Sequence, residues 1–210
     1  MIHRCLLLVA MTGCASYSSR LDATPLPPGA GELGVGLDVL LVERGRDYIP
    51  LPVPDFTYRR GVRPGVDVGG KAHLTGAQAG VRFAIARRDR LAVAWAADLA
   101  LGYEPITNNT TDLVYARALP RLVGELRGRG GGPTWIAAVA PSLTFTGPAT
   151  MFRGIAGAAR FIARPGAALG ARWPLDRGRS LWLEVTAQPA YAFGDGWLRS
   201  AYQGGAAVTF

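Results

Sequence analysis

From Glu32 to Phe210 the chain alternates apolar residues with small or polar ones at a period of two, the repeat of a two-faced strand rather than of a helix. Leu91, Val93, Trp95, Ala97, Leu99, Leu101 and Tyr103 share one face of a segment, and Ala92, Ala94, Ala96, Asp98, Ala100 and Gly102 share the other. Leu181, Leu183, Val185 and Tyr191 oppose Trp182, Glu184, Thr186 and Gln188 in the same way. Phe161, Ala163, Leu169, Ala171 and Trp173 oppose Arg160, Ile162, Arg164 and Arg172, while Leu198, Tyr202, Val208 and Phe210 oppose Arg199, Gln203 and Thr209.

The pattern places strands near Glu32 to Leu41, Phe56 to Val62, Val66 to Leu74, Gln78 to Ala86 and Leu91 to Tyr103. Five more fall near Leu113 to Leu126, Thr134 to Phe145, Ala158 to Trp173, Leu181 to Tyr191, and Leu198 to Phe210. Connections alternate between long (Val42 to Asp55, Glu104 to Asp112, Thr146 to Gly157) and tight (Arg63 to Gly65, Arg87 to Arg90, Arg127 to Pro133). Alternation alone also fits a soluble sandwich. Two further features favour a membrane barrel: strands of about 9 to 11 residues, and one phase kept free of charge, which at the midplane costs about 2–4 kcal/mol. The expectation is an all-β fold, a closed antiparallel up-and-down transmembrane barrel of about ten strands, with eight as the alternative. Pro120, Pro141, Pro165 and Pro189 fall inside proposed strands, where each forfeits a ladder hydrogen bond, so bulges or breaks are expected there.

Residues 1–13 read as a signal peptide: Arg4, then the apolar stretch Cys5 to Met11, then small residues up to Cys14. Met11-Thr12-Gly13-Cys14 resembles the lipobox of bacterial lipoproteins, which implies lipidation of Cys14, and Ala15 after it resembles chains sorted to the outer membrane. Cleavage before Cys14 would leave one cysteine and no internal disulfide. Residues 14–31, with Pro25, Pro27 and Pro28, read as the lipidated N-terminus and a flexible tether, and 32–210 as the barrel. The ending Tyr202 to Phe210 resembles the C-terminal signal of bacterial outer-membrane proteins. With the leader it marks a resemblance to small outer-membrane β-barrel proteins, which implies outer-membrane lipid and the barrel assembly machinery as partners.

Composition sharpens this picture. With 28 Gly and 15 Pro in 210 residues, a helical bundle is disfavoured. The net charge of +8 suggests nucleic acid, but Lys71 is the only lysine and the arginines are scattered along the chain rather than clustered. Charges kept off the lipid face fall inward. Asp38, Asp67, Asp98, Glu125 and Glu184 would share the lumen with Arg59, Lys71, Arg82, Arg117, Arg121, Arg160, Arg164, Arg172 and Arg199. A barrel of this size is nearly filled by its own side chains, so the lumen is expected to be basic and largely plugged.

Enzymatic readings are weak. Ten-stranded barrels include the omptin proteases, with rim carboxylates and a histidine, but His73 is the only histidine after the leader and the threading puts no acidic pair beside it. His73 is therefore read as a hydrogen-bonded lumen residue. No Ser, His and acid spacing of the lipid A deacylase kind surrounds it, no phosphate-cradling loop is present, and neither metal nor cofactor is expected. The Asn108 to Thr111 segment reads as a polar loop tip. The expected role is structural, surface-interacting or of minor permeability. The alternatives are a soluble periplasm-facing sandwich or ligand-binding barrel and, behind it, a rim hydrolase.

Overall fold

A computed structural model describes residues 22–44, 47–74, 76–104, 113–148, 160–192 and 196–210. Twelve strand segments follow in order: β1 (Gly31–Arg44), β2 (Asp47–Arg63), β3 (Val66–His73), β4 (Gly76–Arg88), β5 (Leu91–Glu104), β6 (Leu113–Arg127), β7 (Thr134–Val139), β8 (Ser142–Pro148), β9 (Arg160–Arg164), β10 (Ala167–Pro174), β11 (Ser180–Ala192) and β12 (Gly196–Thr209). Sequential neighbours pair antiparallel. β7 with β8, and β9 with β10, are halves of two interrupted strands, so ten barrel strands result. β1 closes on β12 from Gly34↔Thr209 to Leu41↔Tyr202, and the N–H groups of Leu33 and Phe210 donate to each other's carbonyls at 3.2 and 2.8 Å.

The two-residue period decides what each wall presents. Asp38, Arg82, Arg121 and Glu125 point into the barrel and are at most 2% exposed, while Leu99, Leu101, Leu169 and Val185 point out and are at least 60% exposed. Aromatics pair on the outer surface: Phe145 with Phe161 at 5.0 Å, and Trp135 with Trp173 at 6.4 Å.

Val42 to Asp55, expected as a loop, instead extends the first hairpin, with β1 and β2 in register from Gly31↔Arg60 to Arg44↔Asp47. Its three prolines explain both the expectation and its failure. Gly61 exchanges hydrogen bonds with Gly29 and Ala30 on the β1 side, so odd-numbered residues of β2 turn their peptide groups that way. Pro50, Pro52 and Pro54 therefore face the other side, where β3 has already ended opposite Asp55. No ladder hydrogen bond is lost, because among the described residues no strand pairs with that side of the stretch.

The prolines in mid-strand follow the same logic. Pro120 lies between the part of β6 paired with β8 and the part paired with β7, level with the gap at Pro141. Arg127 donates to Arg90, just before β5, which turns Pro120 toward that gap, and Ala140 donates to Gly166, which turns Pro141 back toward β6. Two residues without N–H groups thus face each other. Pro165 fills the break between β9 and β10 at the same height, and Pro189 falls at the register shift between Gln188 and Ala190. The ladder is interrupted along one level across four strands.

Candidate functional site: the barrel lumen

Residues 22–30, expected as part of a free tether, enter the lumen at the end where the barrel's own first and last residues meet. Asp22 and Ala23 are 4% and 1% exposed. Arg82 donates to both the carboxylate and the backbone carbonyl of Asp22, and Arg172 of β10 donates to its second carboxylate oxygen. The Ala23 N–H and the Thr24 hydroxyl donate to Glu125 Oε2 at 3.1 and 3.0 Å, and the Leu26 N–H donates to Asp67 Oδ2 at 2.9 Å. Arg127 ties the same corner, 2.7 Å from Glu125 Oε1 and 2.6 Å from the Thr24 hydroxyl. The wall makes room for this insertion: β5 lines it with Ala92, Ala94 and Ala96, and Ala23 packs in a cluster with these, Val123, Ile136 and Trp182.

Above the inserted segment lie two further tiers. Asp67 accepts from Arg59 and Arg82, and Asp98 accepts from Arg121 at 2.7 Å. Lys71 sits between Asp38 at 2.5 Å and Asp55 at 3.5 Å, and Arg117 donates to the Thr144 hydroxyl at 2.9 Å. Among neutral groups, Thr186 donates to Glu184 at 3.1 Å, and Gln188 donates to the Ala140 carbonyl at 3.1 Å while accepting from Ser142 at 3.2 Å. Gln188 thereby supplies a side-chain donor at the level where proline has removed backbone ones. A cavity of about 30 Å³ remains between Arg59, Asp67, Lys71, Gln78 and Arg82, room for about two waters.

The lumen residues expected from sequence are therefore brought together wherever their side chains are described: Asp38, Arg59, Asp67, Lys71, Arg82, Arg117, Arg121, Glu125 and Glu184 are buried, and His73, Asp98, Arg164 and Arg172 are partly so. The side chains of Arg160, Arg199, Tyr103, Tyr191 and Trp197, and all of Cys14, Phe193 and the Asn108 to Thr111 tip, lie outside the described residues. Tyr202 and Phe210 point outward, 42% and 57% exposed.

Sequence reasoning missed six participants: Asp22 and Thr24, because a proline-rich stretch reads as linker; Asp55, because it falls in an expected loop; Glu32 and Arg127, because they stand at the ends of expected strands; and Gln188, because its role exists only beside the break. The run of alanines on the inner face of β5 was the available signal that something else fills the space. Asp55, which falls in an expected loop, is the register partner of His73 across the β2–β3 ladder. With Asp22, Glu32 and Asp55 the described lumen holds eight acids, against eight bases once Arg127 joins the seven expected ones that are described, Arg160 and Arg199 standing outside that count. Among the described residues no group of three His, Cys, Asp or Glu is arranged to hold a metal.

No protein-family model matches the chain, and no curated protein matches it. Among solved structures it is similar to the crystal structure of Neisserial surface protein A, with a TM-score of 0.48 at 10% identity over 85% of this chain and 95% of that one.

Proposed function

We propose that this chain is a transmembrane barrel of the bacterial outer membrane, tethered by a lipid on Cys14, whose lumen is closed by its own residues and which serves as a structural or surface-interaction protein rather than as a pore or an enzyme. The observation that carries the reading is the inside-out distribution of polarity: buried charges with named partners face the axis, and large apolar side chains face out around the wall. In water such a surface is a severe liability, whereas in hydrocarbon it is the favourable arrangement, and in the closed wall each strand bonds a neighbour on either side. Closure is supported by the seating of Asp22 to Leu26 and by the small size of the cavity between Arg59, Asp67, Lys71, Gln78 and Arg82. Ion pairs of this kind repay their desolvation only when every oxygen is used, as the carboxylates of Asp22, Asp67 and Glu125 are.

The test is electrophoresis of the full chain with and without boiling, paired with alkaline extraction of membranes. The expected result is a mobility difference and retention in the membrane pellet. Release by alkali without detergent would instead identify a soluble barrel held only by its lipid. In planar bilayers the wild type is expected to pass no steady current.

A further inference from the structure

The turns at the end of the barrel where the N-terminal segment enters share one feature. Each of the four, β2–β3, β4–β5, β6–β7 and β10–β11, carries exposed arginine: Arg63; Arg88 and Arg90; Arg129; Arg177 and Arg179. Arg60 and Arg87, on the adjoining strand ends, are also exposed, and only Asp89 and Asp176 oppose them in these turns. None of these eight arginines pairs with a carboxylate among the described residues. Arg177 holds a φ of +61°, a conformation that glycine or asparagine adopts at lower cost, so in that turn an arginine stands where local backbone preference points elsewhere.

The position of this charge is as informative as its amount. It encircles the barrel instead of covering one side, and it lies just beyond an outward apolar and aromatic belt that includes Val62, Leu91, Leu126, Trp135, Leu175 and Phe210, each at least 44% exposed. Indole and phenyl rings at such a level belong at the boundary of hydrocarbon and water, and guanidinium groups one step further out meet the headgroup layer. A globular partner would contact one arc of the ring. A lipid leaflet contacts all of it.

We propose that this end of the barrel is a docking ring for the headgroups of anionic phospholipids, one or more phosphates being held by arginines of each turn. The inference rests on the membrane reading above. Arginine suits it better than lysine because its planar fork binds two phosphate oxygens at once.

The experiment uses the full chain folded into phosphatidylcholine vesicles containing either brominated phosphatidylglycerol or brominated phosphatidylcholine, with quenching of tryptophan fluorescence as the readout. Trp135 and Trp173 report on the belt beside the ring. Preferential quenching by the glycerol lipid of about fivefold is expected, the ratio for one headgroup charge held by one interfacial arginine. It should fall to near unity in the variant that carries Arg63→Gln, Arg88→Gln, Arg90→Gln, Arg129→Gln, Arg177→Gln and Arg179→Gln, which strips every turn of the ring, and in 1 M salt, where screening acts within about 3 Å. Equal quenching by both lipids in the wild type, or a preference unchanged in the variant, would overturn the proposal while leaving the barrel in the bilayer. Absence of quenching by either lipid, with no mobility difference on boiling, would instead remove the membrane reading itself.

Discussion

A Cβ on Gly61 would lie 1.9 Å from the carbonyl oxygen of Pro27. The inserted N-terminal segment and the inner face of β2 are therefore in backbone contact, secured by the Gly29 N–H donating to Gly61 and the Gly61 N–H donating to Ala30, both at 2.9 Å. Gly61→Ala is expected to lift residues 22–30 from their seat without opening the β-ladder, because the clash is with the segment alone. The cost should be about 1–3 kcal/mol, as for other overpacked sites. Limited proteolysis checks it: cleavage ahead of Gly31 should accelerate while the barrel fragment persists.

Asp22 joins Arg82 and Arg172, which come from opposite parts of the wall. Asp22→Ala removes the carboxylate and leaves buried guanidinium charge behind, a loss on the order of 3–5 kcal/mol. The urea midpoint of the refolded protein in detergent should fall accordingly. An unchanged midpoint would mean that the segment is not held by these pairs.

Gln188 bridges the broken level of the wall. In Gln188→Leu the Ala140 carbonyl and the Ser142 hydroxyl lose that partner, at about 1–3 kcal/mol. The effect should be local. Amide exchange near Ala140 and Gly166 should quicken while amides of the β1–β2 hairpin keep their protection. Gly166→Ala should act at the same place, since its Cβ would stand 2.4 Å from the Ala140 carbonyl oxygen.

Leu99 is 70% exposed on the outer wall near mid-strand. On a soluble protein Leu99→Arg would change stability by no more than about 0.5 kcal/mol. Facing hydrocarbon, it should cost about 2–4 kcal/mol, measured by reversible unfolding in lipid vesicles. The size of the change separates the two environments in one substitution.

The face of each residue was legible because it follows from strand periodicity, a local rule. The alternation that set Leu99 against Asp98 and Val185 against Glu184 in the sequence also sets them outside and inside in the barrel. The four mid-strand prolines were legible as interruptions but not as partners. That Pro120 faces Pro141 depends on two strands arriving in one register, which no local pattern carries. Pro50, Pro52 and Pro54 misled for a related reason: proline argues against a strand only where a neighbour awaits its N–H, and the neighbour here stops at His73.

The sequence by itself therefore determined a two-faced, all-β chain of about ten strands, with charge confined to one face, because pleat and solvation act residue by residue. Tertiary structure decided what lies far apart in sequence but close in space. It placed Asp22 between arginines 60 and 150 residues away, brought Asp55 beside His73, and gathered at one end arginines that look dispersed along the chain. The physical reason is closure: once β1 bonds to β12, every second connection must share an end, and residues that no spacing relates become neighbours.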